Sequence, residues 1–120
     1  MSSRLLFVYN ADSSFFAQLT DYVHKLISPQ TYQCNLCKIT YGNLGMKKEW
    51  KKFVEKLPYK AIFLHRDEFF SQYPKLKDKT LPAVFQLKNG ALSELVTARE
   101  INQQKTIEEL GSIILAKINK

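Results

Sequence analysis

An apolar segment near the amino terminus, Arg4-Leu5-Leu6-Phe7-Val8-Tyr9, most constrains the fold of this chain. Successive side chains of a strand point to opposite faces of its sheet. Because apolar residues here follow one another without alternation, the segment predicts a strand that is buried on both faces. Such a strand is typical of a sheet that helices cover on either side.

Helical and strand patterns alternate after this segment. Alternation of this kind predicts parallel strands joined by helical crossovers. The spacing of apolar residues predicts, in order, a helix from the Asp12–Ser14 cap to Ile27, a short strand at Cys37–Tyr41, a helix at Met46–Leu57, a strand at Ala61–Leu64 and a short helix at Phe69–Tyr73.

The carboxyl-terminal third predicts a hairpin followed by a helix. The segments Pro82–Leu87 and Leu92–Thr97 flank an Asn89-Gly90 pair, and both of these residues tolerate positive φ. The last helix begins at Thr106, with Glu109 completing a capping box. The sequence therefore predicts one α/β domain over residues 1–120, with three layers and a mixed sheet of parallel strands plus a carboxyl-terminal hairpin and helix.

Length and composition limit the broad class. The chain has 120 residues, 45% of them hydrophobic, and no stretch approaches the roughly 20 apolar residues that span a bilayer. We expect a cytoplasmic protein whose cysteines are reduced. The formal net charge of +7 favours acidic partners, which include nucleic acid, anionic membrane and acidic protein. Lysines that only keep a small domain soluble are the favoured alternative.

The segment Thr80-Leu81-Pro82-Ala83-Val84-Phe85-Gln86-Leu87-Lys88-Asn89-Gly90 resembles the part of the thioredoxin-like superfamily in which a cis-proline opens a strand that ends in a Lys-Asn-Gly turn. The resemblance implies a thioredoxin-like fold and a cis bond before Pro82. Thioredoxins carry their CxxC between the first strand and the first helix, where this chain has Asn10-Ala11-Asp12-Ser13. The resemblance therefore transfers no catalytic cysteine to that position.

The only two cysteines, Cys34 and Cys37, form a displaced CxxC. In an extended strand they lie about 10 Å apart, whereas a disulfide needs Cα atoms within about 7 Å. A turn between them allows a redox pair, but two reduced and packed thiols are the favoured interpretation. Zinc is disfavoured because His24 and His65, the only histidines, lack finger-like spacing. We expect no metal and no cofactor.

A polar cluster is expected at the carboxyl edge of the parallel strands, where open α/β sheets bind ligands. His65 is a candidate acid or base, and Arg66 is a candidate clamp for an anion. The alternative, which is favoured, has Asp12 and Ser13 capping a helix and Arg66 pairing with an adjacent carboxylate. Three segments end at this edge, namely 9–14, 41–43 and 65–68, and the candidate ligand-binding residues are Asn10, Asp12, Ser13, His65, Arg66 and Pro82.

The second predicted helix has a basic face made of Lys47, Lys48, Lys51 and Lys52, while Trp50 lies on its apolar side. A solvated face is the default interpretation. The favoured function is a redox-inactive thioredoxin-like module that binds a protein or a small anionic partner. An atypical thiol–disulfide protein using Cys34 and Cys37 is the alternative, and a basic nucleic-acid-binding domain is third.

Overall fold

The structure, a computed structural model, describes residues 4–10, 35–42 and 45–118. The strands are β1 (Arg4–Val8), β2 (Tyr41–Gly42), β3 (Gly45–Met46), β4 (Lys60–Leu64), β5 (Ala83–Lys88) and β6 (Ala91–Val96). The helices are α1 (Asn35–Thr40), α2 (Lys48–Glu55), α3 (Arg66–Gln72), α4 (Ala98–Asn102) and α5 (Ile107–Ile118). A 3₁₀ turn at Pro74–Leu76 follows α3.

Four strands form a mixed sheet in the order β4-β1-β5-β6. The β1 and β4 strands are parallel, with Val8 opposite Leu64. The β5 strand is antiparallel to both of its neighbours, β1 and β6. The expected α/β class with a mixed sheet is therefore confirmed.

Side chains of β1 divide between two hydrophobic clusters. Leu5, Phe7 and Tyr9 enter one cluster, together with residues of α1, α2, α4 and α5. Leu6 and Val8 enter the other, which Phe69 of α3 covers. Helices thus cover both faces of the sheet, as the uninterrupted apolar run predicts.

The predicted hairpin is present between β5 and β6. Asn89 and Gly90 form its turn with φ of 55° and 81°, in the left-handed region that these two residues favour. The Leu81–Pro82 bond that precedes β5 is cis, as the resemblance implies.

The strand predicted at Cys37–Tyr41 is wrong, because residues Asn35–Thr40 form helix α1. Ile39 and Thr40 are β-branched and favour a strand locally. In the helix, however, Leu36 and Ile39 share one face and are both buried in the core. Thr40 donates its hydroxyl to the Leu36 carbonyl at 2.6 Å, so the buried hydroxyl is satisfied. Burial therefore decides the local structure.

Three further differences concern helices. The α2 helix begins at Lys48, because Met46, where the predicted helix starts, belongs to β3. The α3 helix begins at Arg66, three residues before the predicted start at Phe69. The α4 helix has only five residues and was not predicted, although Thr97 and Glu100 form a capping box at its start. The helix predicted from Asp12 to Ile27 lies outside the described residues.

Helices α2 and α5 approach closely at Gly111. A Cβ atom at this position would lie 2.9 Å from Cε1 of Phe53. The Phe53 ring in turn stacks on Trp50, with 5.4 Å between ring centroids, and Trp50 packs edge-on against Phe7 of β1. The absence of a side chain at Gly111 thus lets α5 close over the aromatic residues that hold α2 on the sheet.

Glu100 connects α4 to α5 through Lys117. The Lys117 Nζ lies 2.6 Å from Glu100 Oε2, and the Thr97 amide donates to Glu100 Oε1 at 2.9 Å. The Lys117 ammonium and the Thr97 amide hold the pKa of the Glu100 carboxyl below its usual value of 4.5.

We expect the variant Glu100→Gln to be destabilised in a pH-dependent way. Because folding lowers the pKa of Glu100, the carboxylate stabilises the protein above about pH 4.5, and this contribution disappears as the pH falls through the folded-state pKa. Urea unfolding should show a deficit of about 1 kcal/mol or less at neutral pH, shrinking in acid, since the pair is partly exposed. The exposed Glu55→Gln variant is the control, and an equal pH dependence in both variants would contradict the assignment.

Candidate functional site

The parallel strands β1 and β4 end side by side. Val8 and Leu64 are register partners, and the Tyr9 amide donates to the Leu64 carbonyl at 3.0 Å. The chain therefore leaves both strands at the same edge of the sheet. Tyr9 and Asn10 follow β1, and His65 and Arg66 follow β4, so the two segments meet there as the sequence predicts.

Arg66 and Asn10 contact each other across this edge. Arg66 Nη1 donates to Asn10 Oδ1 at 3.4 Å, which is at the long end of hydrogen-bond distances, and both residues are half-buried. Fifty-six positions separate the two residues in sequence. The contact places a guanidinium group over the point where β1 ends.

His65 acts as the capping residue of α3. Its backbone amide donates to Glu68 Oε1 at 2.8 Å, and its Nδ1 lies 2.7 Å from the same oxygen. Because Glu68 is bonded to His65, Glu68, which with Asp67 is one of the two carboxylates expected as a partner for Arg66, has a structural role at the start of the helix. The sequence carried a signal for this role, since His65 and Glu68 have the spacing of a capping box.

Aromatic rings pack beneath these polar groups. Tyr9 is fully buried, and its ring stacks on Phe63 with 6.3 Å between centroids. The His65 ring is tilted against Tyr9 at the same centroid distance. Tyr9 thus packs against the ring of His65, and Glu68 contacts its Nδ1, so together they restrict the orientation of the imidazole.

Pro82 reaches the same edge from the other side of β1. Ala83 is the register partner of Val8 in an antiparallel pair, so Pro82 precedes β5 where β1 ends. Pro82 is buried, and Leu81 before it joins the cluster around Phe69. The structure therefore brings together Asn10, His65, Arg66 and Pro82 of the predicted ligand-binding set.

Other predicted site residues are not part of this arrangement. Tyr41 and Gly42 form β2, which pairs with β3 in a separate two-stranded sheet. The prediction that they lie at the edge of the main sheet is therefore wrong. The backbone of Cys37 lies in α1. Asp12, Ser13, His24, Cys34 and Asn43 lie outside the described residues.

Residues 4–10, 35–42 and 45–118 contain no group of three or more His, Cys, Asp or Glu side chains suited to holding a metal ion. None of the helices described is both long and apolar enough to cross a membrane.

Comparison of the chain with protein-family models, curated proteins and solved structures gave no significant match.

We expect Glu68→Ala to lower the free energy of unfolding by about 1 kcal/mol, because it removes the acceptor for the His65 amide at the start of α3. Urea unfolding at neutral pH measures the change. Gln72→Ala, at the exposed end of the same helix, is the matched control and should lie within about 0.5 kcal/mol of the wild type. An equal loss in both variants would show that Glu68 has no capping role.

Proposed function

We propose that this chain is a thioredoxin-like module that binds an anionic group of a protein or small-molecule partner at the edge formed by Asn10, His65, Arg66 and Pro82. Binding involves no redox chemistry at the first turn after β1, since residues 10–13 contain no cysteine. The observation that carries the proposal is the Arg66–Asn10 contact beside Pro82.

The arrangement of the sheet supports the thioredoxin-like relationship. A parallel pair, β1 and β4, is followed by an antiparallel hairpin, β5 and β6, and then by helix α5. The resemblance implies this order of elements. It also implies a proline immediately before the first hairpin strand, and Pro82 occupies that position.

Arg66 supplies the chemistry of recognition. A guanidinium group has five N–H donors in a planar fork that matches a carboxylate or a phosphate. Asn10 accepts from one guanidinium nitrogen and so orients the group over the end of β1. The half-buried position strengthens a contact with an anion because solvent screens it less than at an exposed site.

A titration of isotopically labelled protein tests this site. Inorganic phosphate and N-acetylaspartate serve as probes, and amide shifts of Asn10, His65 and Ala83 are followed by NMR. We expect saturable shifts at these amides and a loss of affinity of about 10-fold in Arg66→Gln, the change that one lost charge-assisted hydrogen bond produces.

Arg99→Gln, on the exposed side of α4, is the matched control and should leave the affinity unchanged. Shifts that spread over surface lysines and fall equally in both variants would contradict an anion site at this edge.

The start of α1 favours a second function, thiol–disulfide exchange by Cys34 and Cys37. The expected strand would hold positions three apart at about 10 Å, too far for a disulfide. Helix α1 begins at Asn35, so Asn35 and Leu36, the two residues between the cysteines, do not have the extended geometry on which that distance rests. The change from strand to helix removes the geometric objection to pairing at this position.

Equilibration in glutathione buffers of known potential tests this second function. Free thiols are trapped and counted by mass spectrometry. Thiol exchange requires an intramolecular disulfide with a potential above about −270 mV, and Cys37→Ser should abolish it. If the two thiols stay reduced across the whole range, thiol exchange is excluded.

A further inference from the structure

A line of exposed lysines follows α2 and continues to the start of β4. We call this set the basic strip, and its members are Lys48, Lys51, Lys52, Lys56 and Lys60. Residues 47–60 contain six lysines and two glutamates, so this short segment carries more than half of the net charge of the chain. The excess of positive charge is thus concentrated on one helix and the turn after it.

Three lysines of the basic strip are regularly spaced along α2. Lys48, Lys52 and Lys56 follow one another every four residues, about 6 Å apart along the helix axis. Lys60 opens β4 and is the register partner of Arg4 in β1. Three of the five cations therefore form a row along α2, and Lys60 begins β4, an edge strand of the main sheet.

None of the five lysines forms an ion pair in the part of the chain that the structure describes. Ion pairs found there instead include those of His65 with Glu68, Lys79 with Glu94, and Lys117 with Glu100. Glu49 and Glu55 are exposed on the same helix, yet neither engages a lysine of the strip. The ammonium groups are therefore available to an external anion.

The apolar side of α2 is fixed in the core. Trp50 is fully buried against Phe7, and Phe53 stacks on Trp50. The helix therefore presents only its charged side, and none of its aromatic rings is exposed for stacking on a base. An open cleft of about 240 Å³ near its start contains Lys47 and Lys105 together with Glu49 and Glu108, so its charges are balanced and it adds no anion site.

We propose that the basic strip binds the phosphodiester backbone of a nucleic-acid strand. A strand presents single negative charges in a regular line, which matches a line of lysines spaced by one helical turn. Because the contacts reach only phosphates, binding is independent of base sequence. This surface goes beyond the proposed anion site at Arg66, which lies on a different helix.

A membrane surface fits the strip less well. Amphipathic helices on membranes bury their apolar face among the lipids, whereas the apolar residues of α2 are committed to the protein core. Attraction would then rest on charge alone, at about 1 kcal/mol for each lysine near an anionic leaflet.

Fluorescence anisotropy with a labelled oligothymidine of about 20 nucleotides tests the proposal, since this length exceeds the site size of a small domain. Five phosphate contacts to a single strand predict that affinity falls about 130-fold when salt rises from about 50 to 200 mM. The triple variant K48Q/K52Q/K56Q leaves two contacts and should reduce that fall to about 7-fold. Circular dichroism verifies that the variant is folded.

The triple variant K75Q/K77Q/K88Q is the matched control, because it removes the same charge from exposed lysines outside the strip. It should bind as the wild type does, and an equal weakening of both variants would overturn the proposal. Absence of oligothymidine binding at low salt would also overturn it. Binding instead to phosphatidylcholine vesicles with roughly one-third phosphatidylserine would assign the strip to an anionic lipid surface. The salt slope of the wild type reports the number of contacts independently of any variant.

Discussion

The burial of β1 on both faces is the constraint on which the rest of the structure depends. Its neighbours β4 and β5 satisfy its backbone, while its side chains alternate between two hydrophobic clusters. Each fully buried side chain of this size stabilises the fold by about 1.5–3 kcal/mol. A strand of this kind requires helices above and below the sheet, and α2, α3 and α5 meet that requirement. Loss of either helical layer would expose half of the side chains of β1 to water.

Both candidate surfaces follow from this arrangement. The edge site exists because parallel pairing makes β1 and β4 end together, which brings Asn10 to Arg66. The basic strip exists because Trp50 commits the apolar side of α2 to β1, so the lysines must face solvent. Neither surface needs its own scaffold, since packing around one strand orients both.

Sequence patterns predicted the elements that depend on local chemistry. The β1, β4 and hairpin strands could be identified because short apolar runs favour buried strands and the Asn89-Gly90 pair favours a two-residue hairpin turn. Helix α1 could not be identified from the sequence, since the β-branched Ile39 and Thr40 favour a strand. The helix forms because it buries Leu36 and Ile39 against residues that are distant in sequence. The same limit applies to the site. The sequence places His65 beside Arg66, but whether Glu68 bonds to one or the other depends on where α3 begins.

The two candidate surfaces lie on different helices, so the effects of substitutions on each can be measured separately. Helix α2 packs in the cluster that contains Leu5 and Phe7, whereas Phe69 of α3 packs in the cluster that contains Leu6 and Val8. The sheet and a layer of side chains on each face therefore lie between α2, which carries most of the basic strip, and the helix that begins at Arg66. This thickness exceeds the Debye length of about 8 Å at physiological ionic strength, so charges on one surface are largely screened from the other. Substitutions on the two surfaces should consequently add, because distant residues that share no partner rarely couple. The proposed anion site at Arg66 and the proposed nucleic-acid contact at α2 therefore predict binding events that are independent of each other.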